Sequence, residues 1–422
     1  MPASSEQLRA NAAPIQHEVA RVLALPAVRE AFSWLSSQSN ELLEQQIAIT
    51  KIAAPPFQEA RRADWLRRRF QQLGLADARS DEIGNVLAVR PGVDPRDHTR
   101  YVAVTAHLDT VFPADTPLDI RRDGLRAFGP GISDNGAGLT AMLAVAEVLQ
   151  RSRLQTGHSL LFVGNVGEEG EGDVRGMRHL FSDPDLRNAI DYTLVLDGAG
   201  TDTIVTEALG SRRFDVTVRG PGGHSWSDFG VPNPIIVLAR AVELFSNTPV
   251  PTSPKTTFNI GVISGGTSVN SIPEAASMRV DIRSASSDQI LRLERALRDA
   301  VERSMVEARA AADRNGASDA TAMLHADVRL IGDRPAAKLS PGSRVLGVLR
   351  AVDNRLGNTA RVQRASTDAN IPLALGRDAV AIGAGGTGGG AHTLHEWYDA
   401  TDRQLGLERI LITVLTLAGA GE

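Results

Sequence analysis

His107 and Asp109 stand at the end of an apolar, β-rich run, Tyr101 to Thr105. Residues two apart on a strand point to the same side, so an imidazole and a carboxylate share one face there. A long loop then returns at Ser133-Asp134-Asn135-Gly136, directly before an apolar helical pattern. An imidazole with an adjacent carboxylate, joined by a second carboxylate at a helix start, is the beginning of a metal site. The carboxylate beside a ligating histidine normally takes the other ring N–H and fixes the tautomer. Alone, a histidine and an aspartate at a strand end are ordinary surface residues, so the remaining ligands must come from elsewhere.

Three further stretches supply them, each placed after an apolar strand. Glu168-Glu169 follows LLFVGNVG, Asp197 follows YTLVL, and His392 follows the run Ala379 to Ile382 and its glycine-rich loop. Sites in open α/β sheets gather beyond the carboxyl ends of the strands, and these residues all fall there. His107, Asp134, Glu169, Asp197 and His392 amount to two neutral imidazoles and three carboxylates. Two divalent cations with one bridging hydroxide balance that charge, which lessens the cost of burying the cluster. Nitrogen and oxygen donors without thiolate suit two Zn²⁺, with Co²⁺ or Mn²⁺ as alternatives. Asp134 is the best bridge, because one carboxylate offers an oxygen to each of two metals. Glu168 is left over, next to a ligand, where a carboxylate can take a proton from metal-bound water.

The elements that must position these residues alternate. Helical spacing covers much of residues 1–50, and an amphipathic, Arg-rich helix runs from Gln58 to Leu73 before Gly74. Strands are predicted at Asn85 to Arg90, Tyr101 to Ala106, Leu160 to Val166 and Tyr192 to Leu196, with a buried helix from Gly138 to Leu149. From Ser211 the order becomes βαββαβ, the ferredoxin-like split unit, and from about Ser340 the earlier style resumes. The reading is an α/β catalytic domain, 1–210 and 334–422, with a mixed sheet and helices on both faces. It is interrupted by an inserted α+β domain at 211–333.

At 422 residues two domains are the natural expectation. Hydrophobic content of 42% with 23% charged residues is that of a globular protein. A net charge of -5 argues against nucleic acid as a partner, which needs a basic face. No run is long and apolar enough for a membrane span, and no signal peptide is visible, so a cytoplasmic location is expected. The absence of cysteine removes thiolate nucleophiles and thiolate ligands together.

These motifs closely resemble the zinc-dependent metallopeptidase family of tripeptidase (peptidase T), the carboxypeptidase G type, dipeptidases, aminoacylase and acetylornithine deacetylase. The matching pieces are HLDT at 107–110, GPGISDNGAG at 129–138, GEEGEG at 167–172 and LDG at 196–198. They continue with GPGGHS at 220–225, NSIPEAASMRVDIR at 270–283 and HTLHEW at 392–397, in family order. The resemblance implies His107 and Asp197 on one metal, Glu169 and His392 on the other, and Asp134 bridging. It implies Asp109 orienting His107, Glu168 as general base, and a cis peptide at 134–135. The inserted domain would be a lid and dimerisation domain. Its His224 would reach a site, commonly the partner subunit's, and polarise the scissile carbonyl. Asn270 and Arg283 would hold the substrate carboxylate, Arg283 by a charge-assisted contact. The family spacing of His, three residues, then Glu selects His392 with Glu396 and leaves His395 as a neighbour. Ser366 to Asn370 resembles a further family segment, to which no role is given.

The function expected is therefore a dinuclear zinc amidohydrolase cleaving short peptides, acting as a homodimer. An N-acyl-amino-acid deacylase is the alternative, and a non-catalytic binding protein the rival of another class. Asp197, in place of a glutamate, resembles the family's peptidases more than its deacetylases.

Overall fold

The computed structural model describes residues 5–93, 99–152 and 154–421. The chain divides into two compact units: Leu209–Ala337 forms one, and the segments on either side of it form the other.

The larger unit is built on a mixed sheet, nine-stranded among the described residues. Its centre is four parallel strands, Ser159–Asn165, Tyr101–His107, Ile190–Leu196 and Asp378–Ile382, in that spatial order. Their apolar runs are buried nearly throughout, as strands covered on both faces must be. On one face Ala103, Leu161 and Val163 pack with Met177, Leu180 and Phe181 of the helix Arg175–Ser182 and with Ile371. The buried helix Gly136–Arg151 packs against the Tyr101–His107 strand from the other side. Because the four strands are parallel, their carboxyl ends share one edge. Antiparallel strands flank them, Val86–Arg90 on one side and Thr203–Ala208 on the other.

Two expectations about loops change. The segment between Asp109 and Ser133 contains a hairpin, Arg121–Asp123 with Arg126–Phe128. The glycine stretch 383–390 contributes the strand Thr387–Gly389. Both join Trp397–Asp399 in a second, four-stranded antiparallel sheet. Three-residue strands are too short for an alternating pattern to show. Gly385, at φ 88°, lets this stretch press against the helix Arg403–Leu417: a Cβ there would lie 2.6 Å from the Arg403 carbonyl oxygen. The helices Pro26–Ser37 and Ser39–Thr50 pack on the body against Gly136–Arg151.

The smaller unit is a four-stranded antiparallel sheet in the order Thr256–Gly265, Ala275–Ser284, Gly210–Arg219, His325–Arg334. The helices Pro234–Ser246 and Ser287–Arg314 cover it. Alternate residues point into its core: Phe214, Val216 and Val218 on one strand, Met278, Val280 and Ile282 on the next. Helix starts follow ordinary capping rules, with Asn233 before Pro234 and Ser286 before the long helix. This is the ferredoxin-like βαββαβ order, inserted into the α/β unit.

Candidate metal centre

The His107 strand, the turn after Asn165, the turn after Leu196 and the turn between the short strands Thr387–Gly389 and Trp397–Asp399 meet at the carboxyl edge. The imidazole of His107 faces the centre with Nε2, 3.0 Å from Asp134 Oδ1 and 3.8 Å from Asp197 Oδ1. His392 Nε2 lies 3.2 Å from Asp134 Oδ2 and 2.9 Å from Glu169 Oε1. Two groups that could hold a metal ion result, His107-Asp134-Asp197 and Asp134-Glu169-His392. Asp134 belongs to both and turns one oxygen toward each histidine. All five residues expected as ligands thus come together, from segments far apart in the chain.

Backbone clamps hold them. The Asp134–Asn135 peptide is cis. Asn135 caps the helix Gly136–Arg151: its Oδ1 accepts the N–H of Gly138 and of Gly198, while Nδ2 donates to the Leu196 carbonyl. Both residues flanking Asp197 are thereby tied to the one after Asp134. Gly138 is required at that cap, since a Cβ would lie 2.2 Å from Asn135 Oδ1. Glu396, fully buried, accepts the N–H groups of Gly131, Ser133 and Asp134, each at 2.7 Å. The spacing to His392 pointed at Glu396; its hold on the Asp134 loop needed the fold.

Asp109 acts differently from the expectation at the level of atoms. His107 Nδ1 donates to the main-chain carbonyl of Asp109 at 3.0 Å, whereas the carboxylate is 3.7 Å away, beyond hydrogen bonding. That carboxylate accepts the N–H of Glu168 and of Glu169 instead. Glu168 is buried beside Glu169 on this turn.

The electrostatics are those of a cation site. Burial opposes a charge on His107, but the carboxylates of Asp109, Asp134 and Asp197 around it outweigh that and hold the ring well above its usual value. Hydrogen bonds to Asp134 and Glu169 push His392 up to about 10. Burial works to raise Asp134, yet the two histidines hold its carboxyl below the usual range. Protons on the imidazoles balance carboxylates that divalent cations would otherwise neutralise. The donor set, nitrogen and oxygen only with an aspartate shared between two groups, fits a pair of such ions.

In the smaller unit His224 and Asn270 come together, since Gly223–His224 pairs with Ser271–Ile272 and Ser225 N–H donates to the Asn270 carbonyl. Nδ1 of His224 accepts the N–H groups of Trp226 and Ser227, leaving Nε2 to carry the proton outward. Arg283 is not brought to Asn270. It sits at the opposite end of Ala275–Ser284, bonded to Asp281 at 2.6 Å.

Fold and centre together define an α/β protein with two residue groups that could hold metal ions and an inserted ferredoxin-like domain. Peptidase family M20/M25/M40 matches residues 103–415, and the chain belongs to that family. It is 33% identical over 204 residues to a protein of Ajellomyces capsulatus described as "Probable carboxypeptidase", covering 44% of this chain and 46% of that one. A similarly described protein of Aspergillus clavatus is 32% identical over 270 residues, 59% of each chain. The chain thus spans about half the length of these curated relatives. Among solved structures, a tripeptidase of Staphylococcus aureus superposes with a TM-score of 0.70 at 21% identity, covering 90% of this chain and 99% of that one. That likeness supports the fold.

Proposed function

We propose that this chain is a dinuclear metal-dependent amidohydrolase that cleaves short peptides, with Zn²⁺, Co²⁺ or Mn²⁺ as the ions. The observation that supports this most is Asp134, one oxygen toward His107 and the other toward His392. When bound, the cations would polarise the scissile carbonyl and acidify the attacking water. Glu168, held by Asp109 through its own N–H, takes the proton of that water and delivers it to the departing amine. His224 donates from Nε2 to the oxyanion that develops on the carbonyl, and Asn270 beside it binds the substrate.

His224 is assigned to the site of a partner chain. The chain enters and leaves the smaller unit at the strand ends where Gly210 pairs with Ser284 and Ser211 with Arg334, the end that carries Arg283. His224 lies beyond the other end of these ten-residue strands, about 30 Å away. Arg283 is assigned, as the resemblance implies, to the substrate carboxylate. The homodimer would form through Thr256–Gly265, which lies at a sheet edge and exposes Val262 and Ile263. Trp226 and Phe229, both more than 80% exposed, add apolar surface on the same unit.

A panel of di- and tripeptides against N-acetyl amino acids, with each ion added to metal-stripped protein, tests the reading. Turnover of peptides supports it; turnover of N-acetyl amino acids alone would move the assignment to a deacylase.

A further inference from the structure

Behind the ligands lies a buried carboxyl that the proposed reaction does not use. Asp368 is completely buried, and its Oδ2 accepts a hydrogen bond of 2.7 Å from Nδ2 of Asn165, also completely buried. Asn165 closes the strand Ser159–Asn165, stands opposite His107 in the register, and accepts the N–H of Leu108 at 2.7 Å on its carbonyl oxygen. It therefore borders the residue between His107 and Asp109.

The position of Asp368 is set independently of the centre. Thr367 N–H donates to Asn370 Oδ1, Ala369 N–H to Thr367 Oγ1 and Asn370 N–H to the Thr367 carbonyl, so the turn is closed on itself. Ile371 then inserts into the cluster of Ala103, Leu161 and Val163 on the sheet face. The hydrogen-bond partner of Asp368 here is an amide, not a cation. The remaining oxygens, Oδ1 of Asp368 and Oδ1 of Asn165, are buried without a hydrogen-bond partner among the described residues. Leaving such groups unpaired in the interior is costly, so packing and capping alone do not account for this pair.

We propose that Asp368 is a positioning residue: through Asn165 it fixes the end of the His107 strand in the geometry that binds metal. The contact uses the hydrogen bond and the shape of Asp368, not its charge. This rests on the metal-site reading above.

The test measures Zn²⁺ affinity of the metal-stripped full chain by competition with a buffered chelating indicator, alongside the melting temperature of the metal-free protein. Asp368→Ala and Asn165→Ala are expected to weaken Zn²⁺ binding by about 10–100-fold, the range seen when support behind a ligand is lost. Asp368→Asn keeps the size and the acceptor and is expected to stay within a few fold of the wild type. Asp353→Ala, which breaks a buried ion pair with Arg409 elsewhere in the unit, controls for stability. It is expected to lower the melting temperature and leave the affinity unchanged. The proposal is overturned if Asp368→Asn binds as poorly as Asp368→Ala, or if Asp353→Ala weakens binding equally. Should the alanine variants fail to fold, Asp368→Asn alone decides, because weakened binding there contradicts the proposal and near-wild-type binding supports it. A wild type that binds no Zn²⁺ would instead sink the metal-site reading.

Discussion

Asp109 Oδ2 accepts the main-chain N–H of Glu169 at 2.7 Å, while its Oδ1 takes that of Glu168. The carbonyl of the same residue holds the His107 ring. Asp109 thus ties a histidine on one strand to the two glutamates that follow the neighbouring strand. Asp109→Ala keeps the carbonyl but frees the glutamate turn: two buried charge-assisted bonds are lost, at about 1.5–3 kcal/mol each. The metal-free protein should melt earlier and Glu168 should lose its position. Calorimetric melting with kcat on a peptide substrate checks this. An unchanged kcat would mean that the turn holds its shape without Asp109.

Glu168 and Glu169 are neighbours with separate tasks. Glu168→Gln is expected to lower kcat by about 10²–10⁴-fold while leaving metal content intact. Glu169→Gln is expected to reduce metal content itself, because its oxygen faces His392 at 2.9 Å. Elemental analysis beside steady-state kinetics separates the two.

The metal-free centre has a defined pH signature. His107 and His392 are held above the ordinary imidazole value of 6.5. Their contribution to stability is complete below about pH 6.5 and is lost as pH rises, for His392 through about 10. Asp109 and Asp134 are held below 3.8, so theirs is complete above that value and lost as pH falls. The melting temperature in chelator should therefore be highest between these limits and decline on the alkaline side. Saturating Zn²⁺ should lessen the alkaline decline, because cations then take the place of the protons. A profile that stays level on the alkaline side without metal would contradict the charge balance described.

The assignment of His224 to a partner's site is open to complementation. Glu168→Gln and His224→Ala homodimers should each be nearly inactive. When the two are unfolded, mixed and refolded together, half the dimers are mixed, and each has one intact site if His224 acts across the interface. Activity should return to about a quarter of the wild type. No recovery, with mixed dimers shown to form, would place His224 at the site of its own chain.

Legibility followed the length of the signal. The buried strands carry continuous apolar runs, so Tyr101–His107, Ser159–Asn165 and Ile190–Leu196 were readable, and with them the ligands at their ends. The order βαββαβ was readable because the four sheet strands and two helices that make it are long enough to show their period. The short hairpin at 121–128 was not, since strands of three residues are too short to show an alternation. Side-chain partners depended on the fold: a strand-end pattern puts Asp109 beside His107, but the direction of its carboxylate is set by two amides some sixty residues later. Glu396 and Asn135 stood inside readable motifs, yet their clamps on Asp134 and Asp197 exist only once distant segments meet.

Metal stoichiometry is the most direct measurement of the shared aspartate. Metal-stripped protein is dialysed to equilibrium against buffered Zn²⁺ and analysed for zinc per chain. Two ions per chain are expected for the wild type, one for His392→Ala, and fewer than one for Asp134→Ala, which removes an oxygen from both groups. Two ions retained by Asp134→Ala, or none bound by the wild type, would contradict a centre bridged by Asp134.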